Sequence, residues 1–202
     1  MIVARAFTLS LLVLGPMVAA CTGGAASSTE PGGERPQVAS PQAIFEGRLE
    51  SDADDGCKSA GPLFTVGSFG KPQDADVAQP IKDGVSFEQG TVRLSCSVTS
   101  SGANEHDVTG DLALSGTNGG RFQIAGKLTV TGEQTGVRVV VTSGTGETYE
   151  QADCTVSYST GSQSVAPGRV WGDVVCPKVV SASNQTSCRF VGQFRFENCV
   201  QE

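Results

Sequence analysis

The strongest constraint on this chain is a period-two alternation of apolar residues, cut into short runs by turn residues. Arg121 to Thr131 reads Arg-Phe-Gln-Ile-Ala-Gly-Lys-Leu-Thr-Val-Thr, which puts Phe122, Ile124, Leu128 and Val130 on one face. Phe190, Gly192, Phe194 and Phe196 repeat the pattern near the C-terminus. A period of two is the signature of a strand with one buried face, because successive side chains point to opposite sides. The same reading marks strands over Ile44–Leu49, Leu63–Phe69, Thr91–Thr99, Val108–Leu114, Arg121–Thr131, Val137–Thr142, Tyr149–Tyr158, Arg169–Cys176 and Arg189–Glu197. Asn118-Gly119 reads as the hairpin turn between Leu112–Leu114 and Phe122–Ile124. No stretch of twelve residues carries a helical period. Short alternating runs with turn signals between them predict an all-β domain, an antiparallel sandwich or barrel-like sheet.

Cysteine use narrows this further. The chain has seven cysteines. Setting Cys21 aside leaves Cys57, Cys96, Cys154, Cys176, Cys188 and Cys199, an even set suited to an oxidising compartment and to as many as three disulfides. If Arg189–Glu197 is one strand, Cys188 and Cys199 stand roughly 35 Å apart and cannot bond to each other. Cys176 ends one expected strand and Cys188 begins the next, so the hairpin predicts a Cys176–Cys188 bond. Cys199 then reaches back to Cys57, Cys96 or Cys154. No C-x-x-C pair and no second histidine is present, so the cysteines do not read as a zinc or redox centre, and no metal or cofactor is expected.

The N-terminus has a different character. Arg5 precedes the apolar run Ala6–Leu14, and Val18-Ala19-Ala20-Cys21 follows. The apolar run is too short to span a bilayer, and its layout is that of an export signal. Val18-Ala19-Ala20-Cys21 resembles the lipobox of bacterial lipoproteins. That resemblance implies thioether lipidation of Cys21, cleavage after Ala20 and acylation of the new amino terminus, with the membrane as a partner through the lipid. Two or three acyl chains hold a protein stably where one does not. Thr22 follows the cysteine in place of aspartate, which by the same resemblance implies a place in the cell envelope, at the outer membrane if the source is Gram-negative. From Thr22 to about Pro41 the chain is rich in Gly, Ser, Pro and Ala without periodicity, and reads as a flexible tether. The expected organisation is a signal over 1–20, a tether over 21–42 and one β-rich domain over 43–202.

Charge excludes one class of partner. Removing Arg5 leaves 13 basic side chains against 21 acidic ones, a net charge of about −8. With no basic cluster, nucleic acid is not an expected partner.

Several motifs carry a sharper reading beside a plainer one. Gly90–Cys96 and Tyr149–Cys154 resemble the B and F strands of an immunoglobulin domain, which implies a Cys96–Cys154 bridge; the core tryptophan and the tyrosine corner of that fold are missing. Asp52-Ala53-Asp54-Asp55-Gly56 resembles the opening of a calcium loop, but Leu63 stands at the twelfth position where a bidentate glutamate belongs. His106, the only histidine, sits in Asn-Glu-His-Asp and is expected exposed in a loop. Asn184-Gln185-Thr186 matches a glycosylation sequon. Trp171 shares a face with Arg169 and Asp173, expected to be the outer one. It is either an exposed platform for sugar, together with Tyr158, or is packed beneath a loop. No catalytic residue stands out. The functional expectation is a lipid-anchored, non-enzymatic envelope protein with a structural or interaction role and an unknown protein or glycan partner. The alternative is a carbohydrate-binding module.

Overall fold

The computed structural model describes residues 39–51, 56–70 and 78–201. The signal, Cys21, nearly all of the tether and the Asp52–Asp55 turn lie outside the described residues. Twelve strands follow in chain order: β1 (Gln42–Glu50), β2 (Gly61–Val66), β3 (Ile81–Lys82), β4 (Ser86–Phe87), β5 (Gly90–Ser100) and β6 (Glu105–Leu114). They continue with β7 (Gly120–Thr129), β8 (Gln134–Thr142), β9 (Thr148–Ser157), β10 (Ser164–Ala166), β11 (Arg169–Ser181) and β12 (Ser187–Glu197). All the named strand pairs are antiparallel, and they form one sheet in the order β2-β1-β12-β11-β9-β8-β7-β6-β5-β4.

The sheet curls into a half-barrel. Its open side is spanned by two segments. β3 pairs with the start of β1, and the following turn reaches β5 through Gly84 N to Val92 O at 2.9 Å and Leu94 N to Asp83 Oδ1 at 2.8 Å. After β12, Val200 lies parallel to β5, accepting from Val98 N at 2.9 Å and donating to Cys96 O at 3.0 Å. The side of β5 beyond β4 is thereby occupied where it would otherwise present unpaired backbone.

The interior is filled with rings. Phe122 of β7 stacks on Phe45 of β1 at 4.5 Å between centroids, and lies 5.7 Å from Phe194 and 6.2 Å from Phe196 of β12. These four phenylalanines are fully buried. Glycine makes the approach possible. A Cβ at Gly110 of β6 would lie 2.3 Å from the Phe196 ring, and one at Gly47 of β1 2.7 Å from the Phe45 ring. The alternation read from the sequence is therefore the inside of a packed half-barrel, with period-two burial in β5, β6 and β7.

Three disulfides staple the sheet: Cys57–Cys188, Cys96–Cys199 and Cys154–Cys176. The expected Cys176–Cys188 pair is incorrect. β11 does not stop at Cys176 but continues through a register shift between Cys176 and Val179 as far as Ser181. Cys176 therefore stands opposite Phe190, and Cys188 opposite Val179. The irregularity accommodates Pro177, which has no N–H for a regular ladder, and Lys178 N is taken by Gln151 Oε1 at 2.7 Å. Cys176 turns to its other neighbour, β9, where Val175 pairs with Thr155 and Cys154 is the next position along. The immunoglobulin-like Cys96–Cys154 bridge is not formed either, since Cys96 holds the C-terminal segment.

The contact at Gly110 has a measurable consequence. Gly110→Ala places a methyl inside the Phe196 ring and is expected to destabilise the domain by about 1–3 kcal/mol, the usual cost of overpacking. Gly102→Ala, exposed and with only an ordinary 3.5 Å contact to Glu105, should stay within about 0.5 kcal/mol. Urea denaturation of the two variants reads the difference.

Candidate functional site

Strand register sorts the loops into two ends. The start of β1 aligns with the end of β12 and the start of β11, with Gln42 opposite Glu197 and Glu197 opposite Arg169. The chain thus joins the half-barrel at one end, where Asn198 Nδ2 also donates to Ser40 O at 3.2 Å. The opposite end carries the turns after β1, β6, β8 and β11.

A cleft of 610 Å³ opens at that opposite end. Its walls are the β1–β2 connection with Lys58 and Ser59, the β6–β7 turn with Thr117 and Asn118, and the β8–β9 turn with Ser143 and Thr145. Pro62 and Leu63 add an apolar wall. The expected Asn118-Gly119 turn is present and contributes directly. Gly144 packs against it so closely that a Cβ there would lie 3.0 Å from Gly119 O. Ser143 Oγ and Thr145 Oγ1 are hydrogen-bonded at 2.8 Å, and Gly146 N donates to Ser143 O at 2.9 Å. Cys57–Cys188 fastens the wall formed by the β1–β2 connection to the start of β12. Glu147, just behind the β8–β9 turn, accepts from the Ser181 and Ser183 hydroxyls, and these bonds hold its carboxyl below the usual carboxylate range. The mouth is thus a hydroxyl- and amide-lined recess on pinned turns. Pockets at barrel mouths are a common place for ligands. Its residues are scattered over three turns and carry no sequence motif beyond Asn-Gly.

A larger groove of 660 Å³ runs along the outside of β1, β2, β11 and β12, between Glu46, Arg48, Thr65 and Gln193 over Val175 and Val191. It lies on a sheet face without converging turns, so the mouth is the better candidate.

Trp171 occupies the outer face, as its spacing predicts, yet it is only 5% exposed. Phe69 and Ala78, from the segment between β2 and β3, cover it together with Ile44. Phe69 stacks at 6.1 Å, and the Arg195 guanidinium lies 5.0 Å from the Trp171 ring centroid. Arg195 is held in turn by Glu197, which also accepts from Gln42 Nε2 at 2.6 Å. The tryptophan is packed beneath a loop and offers no platform for sugar. Tyr158 is half-buried, with its hydroxyl donating to Thr129 O at 3.0 Å.

His106 corrects its expectation. It belongs to β6, opposite Ser100 and Leu128, and is only 5% exposed on the inner face. Its Nδ1 has no hydrogen-bond partner, so no carboxylate orients the ring for acid–base work. Asn184 caps its own turn, with Oδ1 accepting from Thr186 N at 2.9 Å, between β11 and β12. Among the described residues, no three His, Cys, Asp or Glu side chains gather as metal ligands.

Two spectroscopic outcomes follow from these environments. Trp171, the only tryptophan, is expected to emit with a blue shift and resist acrylamide quenching until the domain unfolds; emission like that of free tryptophan contradicts the packing described. Burial pushes the Tyr158 phenol up from 10.0 to about 12. The raised value means the folded state keeps its proton after the unfolded chain has lost it. This contribution is complete below pH 10 and is lost as pH climbs through about 12, so stability falls over that window. Tyr158→Phe should flatten the alkaline part of the stability profile, and an unchanged profile assigns the loss elsewhere.

No protein-family model matches the chain, and neither a curated protein nor a solved structure is similar to it.

Proposed function

We propose that this chain is an exported, lipid-anchored protein of the cell envelope that works by binding rather than by catalysis, with the mouth of the half-barrel as its contact surface. The observation that carries the reading is the polarity of the domain. The chain enters beside Gln42, and the recess lined by Ser59, Asn118 and Ser143 opens at the opposite end. The point where the chain joins β1 is thus at the end of the domain away from the mouth. The Gly-, Ser- and Pro-rich composition from Thr22 to about Pro41 supports a tether between anchor and domain. The three disulfides support an oxidising compartment outside the cytoplasm, where such bonds persist. The lipobox at Val18-Ala19-Ala20-Cys21 supports the anchor.

The anchor is tested by metabolic labelling with a fatty-acid analogue. The wild-type chain is expected to take up label and sediment with membranes, and Cys21→Ala to lose both while its domain stays folded. Labelling that survives Cys21→Ala overturns the anchor.

A further inference from the structure

The three disulfides differ sharply in their surroundings. Cys154 and Cys176 are fully buried and lie in the ladder between β9 and β11. Cys96 and Cys199 are 7% and 5% exposed, with backbone hydrogen bonds on both sides of the pair: Val200 N to Cys96 O at 3.0 Å and Cys199 N to Gly168 O at 3.0 Å. Cys57 is different. It is the least buried of the six, and it stands in a connection instead of a strand. Among the described residues, 56–60 holds only a local turn at Lys58 and Ser59, and no backbone hydrogen bond ties it to a neighbouring strand. Its bond to Cys188 is what fastens Lys58 and Ser59, one wall of the mouth, to the sheet.

We propose that Cys57–Cys188 is a redox-sensitive pin of the mouth, open to dithiol reductants while the other two disulfides stay closed. Exchange requires a thiolate to approach one sulfur in line with the bond, so access decides which disulfide reacts. The thiolate of a dithiol attacks Cys57 Sγ, the S–S bond breaks, and Cys188 leaves and is protonated. The second thiol of the reductant then attacks the mixed disulfide and releases the Cys57 thiol. Two electrons and two protons pass from the dithiol to the protein, and the reductant becomes a disulfide. Cys188 remains in its ladder opposite Val179, so the sheet keeps its register. The 56–60 connection loses its one covalent hold, and a wall of the recess is released. The effect on binding rests on the mouth being the contact surface; the selective reduction itself does not.

The full chain is exposed to graded dithiothreitol, trapped with iodoacetamide and mapped by peptide mass spectrometry. Cys57 and Cys188 are expected to be alkylated together at about tenfold lower reductant than the other four, as their access predicts. In the selectively reduced protein, trypsin should cut after Lys58 at least several-fold faster than in the oxidised one. Reduction of Cys154–Cys176 or Cys96–Cys199 at the same concentration, or before it, overturns the proposal. So does a Lys58 bond that stays equally resistant after Cys57 and Cys188 are alkylated. Neither readout involves Cys21 or a ligand, so failure here leaves the anchor and the binding role untouched, and their failure leaves the pin.

Discussion

The stack of Phe122 on Phe45 marks the place where one sheet has to meet itself. A twisted sheet of this many strands exposes an apolar face until it curls and buries that face against its own far side. β7 and β1 are five positions apart in the strand order and come together across the interior. The Phe194 and Phe196 rings of β12 complete the contact. The residues facing these rings must be small, and Gly110 and Gly47 are the evidence of that demand in the covalent structure. Rings from both walls meet across the interior and fill it, unlike barrels that hold a ligand within.

A curled sheet leaves edges, and the chain closes them with its least regular parts. β3 and the residues after it tie β1 to β5, while Val200 adds to β5 from the C-terminus. Such closures make few hydrogen bonds each, and the disulfides reinforce the same regions. Cys96–Cys199 locks the C-terminal segment, and Cys57–Cys188 fastens the connection between β1 and β2. Their separations of 131 and 103 residues close much longer loops than the 22 of Cys154–Cys176. In the chain-entropy view, loops near a hundred residues stabilise by about 5 kcal/mol and loops near twenty by about 3. The two long-range bonds contribute most and sit where the ladders are weakest.

The nine long strands were legible because each carries its own record of burial in a period of two. Their limits were less so. β3, β4 and β10 hold two or three residues each, too few for a period to show. The extension of β11 beyond Cys176 was hidden by Pro177, which argues against a regular strand and here sits at a register shift. That one misplaced boundary altered the disulfide pattern, since a cysteine's partner depends on which neighbouring strand its side chain meets. His106 went astray for a related reason. Asn104-Glu105-His106-Asp107 is polar by composition, but the strand phase set by Val108 and Leu112 carries the imidazole inward. Phase outranked polarity there. The mouth was illegible, apart from Asn118-Gly119, because its residues come from turns dozens of positions apart and meet only through the register of the sheet.

Trp171 shows how a correct local inference can leave two functional readings open until the packing is seen. Its spacing with Arg169 and Asp173 does assign it to the outer face, and an aromatic ring on an outer face invites a ligand. The segment between β2 and β3 covers it instead, with Phe69 stacked on one side and Arg195 set over the ring. Burial of that ring and of the guanidinium stem removes apolar surface from water on the side of the sheet that lacks a core of its own. The outer face is thus partly used to hold down a connection near the end where the chain enters. The turns at the far end are arranged differently: they pack on one another through Gly119 and Gly144 and leave their hydroxyl and amide groups facing an open recess. Rigid strands with small polar turns at one rim are the arrangement in which loops carry function on a scaffold. The asymmetry between a covered face and an open rim is what supports the proposal of contact at the mouth, without appeal to any single residue.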